Sequence, residues 1–139
     1  MRSFVDTNVL VYLFDQDSPE RKAAVQRIFR IDGSAGNLIF STQVLQEFYV
    51  TVTRKLASPL KPARALEAVT TLLNFPIVEV SPSLIVAAAR RSQTDSMSFW
   101  DSLIIEAALK SGAQRLWSED LQHGRTLEGM RIENPFLQA

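Results

Sequence analysis

The sequence predicts an α/β domain built on a mostly parallel sheet with right-handed crossovers. Three observations carry that expectation. Short apolar runs of strand length recur at Ser3-Phe4-Val5, Leu38-Ile39-Phe40, Ile77-Val78-Glu79-Val80 and Arg115-Leu116-Trp117-Ser118. Longer stretches of helical periodicity separate them, so strands and helices alternate, as in crossover-connected sheets. Gly, Pro and Ser fall between the runs, where they stop one element or start the next.

At 139 residues the chain is expected to form one domain, 1–139, and to bury about two thirds of its unfolded surface. Hydrophobic residues make up 46% and charged residues 22%, the balance of a water-soluble globule. No apolar run approaches the roughly 20 residues of a membrane span. The first strand begins at about the third residue and leaves no room for a secretion leader, so the expected compartment is the cytoplasm. Fifteen basic residues balance fifteen acidic ones, so the bulk positive field of a non-specific nucleic-acid binder is missing and any polyanion must be gripped locally. With no Cys and one His, a metal site must rest mainly on oxygen ligands, which favours Mg²⁺ or Mn²⁺ over Zn²⁺.

Taken in order, the first strand ends at Asp6, and Thr7-Asn8 leads into the apolar run Val9 to Phe14. A carboxylate beyond the carboxyl end of a strand can face a metal or a phosphate; equally, Asp6 can cap the following helix. Ser18-Pro19-Glu20 starts a helix expected to reach about Ile31, with Ala24, Val25, Ile28 and Ile31 inward. Gly33 to Asn37 breaks it. After the second strand, Ser41-Thr42 opens a long helix to about Leu56, whose apolar stripe is Val44, Leu45, Phe48, Val52 and Leu56. Glu47, Thr51 and Arg54 lie along another line of it, so Glu47 reads either as a site acid or as a solvated partner of Arg54.

Pro62 begins a helix whose buried face is Ala65, Leu66, Val69, Leu72 and Leu73. Ser81-Pro82 begins another, ending in a solvated Arg90-Arg91 pair, with a loop from Gln93 to Met97. Ser98 caps the next helix, and Asp101, three residues on, either completes a capping box or stands at the positive end of the helix beside a substrate phosphate. Glu106 should point away from Asp101, and Gly112 should stop that helix. The fourth strand delivers Ser118-Glu119-Asp120, of which one acid is expected to face inward. Met130 to Asn134 forms a last strand. His123, in the Gly-flanked loop before it, is either a surface residue or a substrate contact.

Asp6, Glu47, Asp101 and Asp120 thus all fall near one edge of the expected sheet. Clustered carboxylates repel and need a compensating cation. A divalent metal on carboxylates can activate water and neutralise charge on a phosphodiester, without Cys or a catalytic His.

Phe4-Val5-Asp6-Thr7-Asn8, Gln46-Glu47-Phe48, Trp100-Asp101-Ser102-Leu103-Ile104 and the run from Trp117 to Gly124 together resemble the motifs of a PIN domain. Their order, the chain length and the closing Ile132-Glu133-Asn134-Pro135-Phe136 are most similar to the toxin ribonucleases of the VapC type. The resemblance spans essentially the whole chain. It implies a three-layer fold with a central mostly parallel sheet flanked by helices, a Mg²⁺- or Mn²⁺-dependent endoribonuclease acting on RNA, a cognate antitoxin and frequent homodimers. By position, Asp6, Glu47 and Asp101 match the family's acidic triad and Asp120 its more variable fourth acid, so all four are candidate catalytic and metal-binding residues. Asn8 and Ser118 match supporting positions. Arg54 and His123 are candidate substrate contacts, with Lys55, Arg90, Arg91 and Arg125 as further phosphate candidates. The apolar faces of Val9 to Phe14 and Phe48 to Leu56 are candidate antitoxin contacts. The same acids would also serve a DNA nuclease or a phosphatase, and a non-catalytic RNA- or protein-binding module is the reading from another class.

Overall fold

The computed structural model describes residues 1–137. Its strands are the short apolar runs. Strand β1 (Ser3–Val5) and strand β2 (Leu38–Ser41) are buried along their whole length, which is what a central parallel strand covered on both faces requires. They are joined by β3 (Ile77–Val78), β4 (Arg115–Trp117), β5 (Thr126–Leu127) and β6 (Met130–Glu133) in a six-stranded sheet of order β3-β2-β1-β4-β6-β5. All pairings are parallel except the β5–β6 hairpin. That hairpin turns on Glu128 and Gly129, both at positive φ, and β5 is a strand the sequence reading omits because two residues carry no periodicity.

Six α-helices flank the sheet: α1 (Thr7–Val11), α2 (Pro19–Ile28), α3 (Thr42–Arg54), α4 (Pro62–Leu72), α5 (Pro82–Thr94) and α6 (Phe99–Lys110). Their starts are written in the sequence. Ser41, Ser81 and Ser98 each accept a backbone N–H three residues on, satisfying one of the orphan donors of the first turn. Ser18 occupies the N-cap position of α2 without making that bond, and Pro19 alone shapes the start. Gly112, at φ +75°, ends α6 as expected.

The core is one cluster around Phe4, Phe40, Phe48, Leu116 and Ile132, all buried. Phe29, Phe40 and Phe75 close it at one end, with ring centroids 5.3 to 6.1 Å apart, in the range where aromatic pairs attract beyond their buried area. No helix among the described residues is long and apolar enough to cross a membrane.

Four expectations are corrected. The second helix gives way at Phe29 to a π-helical turn, Phe29–Gly33, which rotates the chain so that Ile31 is 60% exposed instead of inward. Leu66 and Leu73 of α4 are exposed, because only Ala65 and Leu72 face the core fully. Helix α5 runs two residues into the segment read as a loop, to Thr94, and the loop itself begins at Asp95. Arg91 on it is no solvated end: its side chain is 15% exposed and pairs with Asp95, Glu106 and Glu128, tying α5 to α6 and to the β5–β6 turn.

Candidate active site

The order of the sheet puts a topological switch beside β1, since the chain leaves β1 for β2 on one side while β4 pairs on the other. Crevices form at the carboxyl ends of strands at such a point. Two ladder bonds carry the sheet one residue past its strands there. Asp6 N–H donates to the Trp117 carbonyl at 2.9 Å, and Ser118 N–H to the Glu133 carbonyl at 3.0 Å. The first residues after β1 and β4 are therefore held as firmly as the strands. Ser118 Oγ then donates to Asp6 Oδ2 at 2.8 Å, while Thr7 N–H donates to Asp6 Oδ1 at 2.7 Å.

Asp6 is thus both things the sequence allows. It caps α1, and it opens a cleft of about 500 Å³ lined also by Asn8, Glu47, Asp101 and Asp120. Burial is the main force on its carboxyl, which is 7% exposed and pushed up to about 7. The bonds from Ser118 and Thr7 oppose that rise, and the charges of Asp120 and Glu47 add to it. Asp120 is raised too, first by its own desolvation, against the hydrogen bond from Asn8.

Each acid comes from a different element. Glu47, on the second turn of α3, accepts from Thr7 Oγ1 at 2.7 Å and more loosely from Gln43 Nε2 at 3.4 Å. Asp101 has its N–H bonded to Ser98 Oγ at 3.0 Å. Among the described residues its carboxylate makes no return bond to the cap, so the box is half closed and the acid is left to the cleft. Asp120 accepts from Asn8 Nδ2. Its neighbour Glu119 turns the other way, where it accepts from Tyr12 Oη at 2.8 Å and pairs with Arg21. Of the two adjacent acids, Asp120 is the one that lines the cleft.

The structure does not bring every candidate there. Arg54 is exposed and outside the cleft; Lys55, one position on, is the only cation among the lining residues. His123 Nδ1 accepts from the Asn134 N–H at 2.9 Å and so braces the chain after β6. Arg91 is paired as described, Arg90 is exposed, and Arg125 lies 4.0 Å from Asp95. Val9 to Val11, with Phe48 and Val52, are core and not a surface groove. Thr7, Gln43 and Trp100 are lining residues to which the sequence reading gives no role. The signal for two of them is simple: Thr7 adjoins Asp6, and Gln43 sits one helical turn before Glu47.

The donor set is carboxylate and amide oxygen, which suits a hard divalent cation, and four of the lining residues are acids against one Lys. Among the described residues no three of the acids close into a ready-made ligand cluster, as expected of like charges held by separate elements.

A model of the PIN domain family matches residues 3–126. The chain belongs to the PIN domain family. Solved structures of similar fold include the VapC20 toxin of Mycobacterium tuberculosis, which cleaves the sarcin-ricin loop; it is 20% identical, with 85% of this chain and 89% of that one covered at a TM-score of 0.65. The DNA-bound VapBC complex of Salmonella typhimurium is 17% identical over 97% and 98% of the two chains, at 0.67. A toxin–antitoxin complex of Klebsiella pneumoniae is 17% identical over 96% and 98%, at 0.68. No curated protein matches the sequence. For this PIN domain the structural likenesses speak to the fold, and the acids speak to the chemistry.

Proposed function

We propose that this PIN domain is a divalent-metal-dependent endoribonuclease, the toxin of a toxin–antitoxin pair, acting in the cytoplasm with 1–139 as one nuclease unit. The observation that carries the reading is the convergence of Asp6, Glu47, Asp101 and Asp120 on one cleft at the carboxyl edge of the sheet. These acids would hold Mg²⁺ or Mn²⁺. Such an ion, when bound, supplies an activated water and neutralises charge on the phosphodiester. The chain's own residues do the positioning. Ser118 and Thr7 fix both oxygens of Asp6, Thr7 also fixes Glu47, and Asn8 fixes Asp120. Lys55 offers the cleft its one cation for a phosphate.

An apolar groove of about 370 Å³ between Leu13, Phe14, Phe29, Ala68, Leu72 and Phe75 supports docking of an antitoxin segment, flanked by Arg64 and Glu67. Co-purification with a small partner, and the mass of the free protein in solution, test the antitoxin and the homodimer. The activity is tested by incubating the protein with structured RNA, flap DNA and a phosphomonoester in Mn²⁺, followed by a cleavage-site map on total RNA. RNA alone should be cut, and Asp6→Asn and Asp101→Asn should abolish cutting while the circular dichroism of the fold persists. Unchanged RNA cleavage in either variant would sink the assignment.

A further inference from the structure

We propose that Trp100 is a base-stacking platform at the mouth of the cleft, on which one base of the RNA lies flat beside the scissile phosphate. This rests on the nuclease reading and gives it a residue that contacts the base.

Trp100 is 62% exposed, more than any other large apolar side chain on the helices that line the cleft. It immediately precedes Asp101 in the first turn of α6, so the indole and the candidate metal acid rise from adjacent residues of one rigid element. The platform is braced. Phe99 meets the ring edge-on, at 5.2 Å between centroids and 78° between planes. The Trp100 carbonyl accepts from Gln43 Nε2 at 3.3 Å, which ties this turn to α3. An indole on an anchored helical turn, with one edge already packed, meets a base at reduced cost in conformational freedom.

The wall around it is suited to a nucleotide. Gln43 Nε2 is committed to two acceptors, Trp100 O and Glu47, so the buried Gln43 side chain is a brace between α3 and α6 beneath the platform. Lys55 on the same wall meets phosphate charge. A base in a duplex has both faces covered by its neighbours, whereas an unpaired one can leave the stack for an aromatic side chain. The cleft thus favours loops and single strands over helices.

The test uses the full chain with Trp117, the only other Trp, replaced by Phe, so that Trp100 is the sole indole emitter. Asp6→Asn is added where an oligonucleotide must be bound uncut. Single-stranded RNA should quench the emission, and the same sequence in a duplex should not. Trp100→Ala should weaken binding by on the order of tenfold and raise KM by a like factor with kcat nearly held, whereas Trp100→Phe should keep most of the affinity. An abasic nucleotide flanking the mapped cut should cost the wild type about what Trp100→Ala costs, with no further loss in that variant.

Emission indifferent to single-stranded RNA, equal quenching by duplex, or an undiminished abasic penalty in Trp100→Ala would overturn the proposal. So would a change of solution mass in Trp100→Ala with indole emission already blue-shifted in the free protein, which would assign Trp100 to a protein interface. If the wild type cuts no RNA, the nuclease reading falls, and the quenching titration still decides the platform.

Discussion

Asp6 is held by two donors and is still an acid that resists ionising, and its behaviour with pH follows. Its folded pKa of about 7 lies above its ordinary 3.8, so the folded state binds this proton more tightly than the unfolded chain does. The stability this confers is complete below about 4 and is lost as pH rises towards 7. Without metal, Asp6→Asn should therefore be more stable than wild type at pH 8 by about 1–3 kcal/mol, and the gap should close towards pH 4. Urea unfolding in EDTA at both pH values measures it; a variant less stable at pH 8 would contradict the buried charge. A metal held by Asp6, as proposed, would compete with the same proton, so Mn²⁺ affinity by calorimetry should fall between pH 8 and pH 6. Ser118 supplies the second oxygen's donor, and Ser118→Ala should reduce metal affinity or cleavage about 10- to 100-fold, as for other outer-shell partners. Asp6, Asp101 and Asp120 are legible in sequence because each follows a strand or a Ser cap. Which of Glu119 and Asp120 faces the cleft is not legible, because the choice is made by Tyr12 and Arg21, about a hundred residues away.

Helix starts are legible because the signal is local: Ser41, Ser81 and Ser98 cap through their own side chains. Helix interiors and ends are less so. Ile31, Leu66 and Leu73 look inward by spacing, yet a π turn and a helix packed by one narrow stripe leave them outside. Arg91 looks solvated because its three acids lie up to 37 residues off. The caps separate stability from function. Ser98→Ala and Ser81→Ala should each cost about 1 kcal/mol by loss of one cap. Only Ser98→Ala loosens the turn that carries Trp100 and Asp101, so it alone should also raise the Mn²⁺ concentration needed for half-maximal cleavage. Equal effects of the two caps on that concentration would show that Asp101 is positioned by something other than its own helix start.

The alternation of strands and helices yields a parallel sheet but not its order, because short strands carry no mark of their neighbours. The order decides the site: with β1 between β2 and β4, the ends of β1 and β4 and the first turns of α3 and α6 meet at one crevice. A fold that lines one cleft with four carboxylates and a single Lys, in a chain of zero net charge, concentrates its electrostatic strain at one place. Neutralising that place should stabilise the molecule as a whole. A ligand at a hundred times its Kd adds about 2.7 kcal/mol to the folded state, which for a domain of this size raises Tm by roughly 10 °C. Saturating Mn²⁺ should give a shift of that order in a thermal melt, reversed by EDTA. Asp101→Asn and Asp120→Asn should shrink it. His123→Ala should leave it intact, since that imidazole braces the chain after β6 and does not line the cleft. A shift equal in all three variants would place the ion elsewhere on the surface and remove the metal from the acids of the cleft.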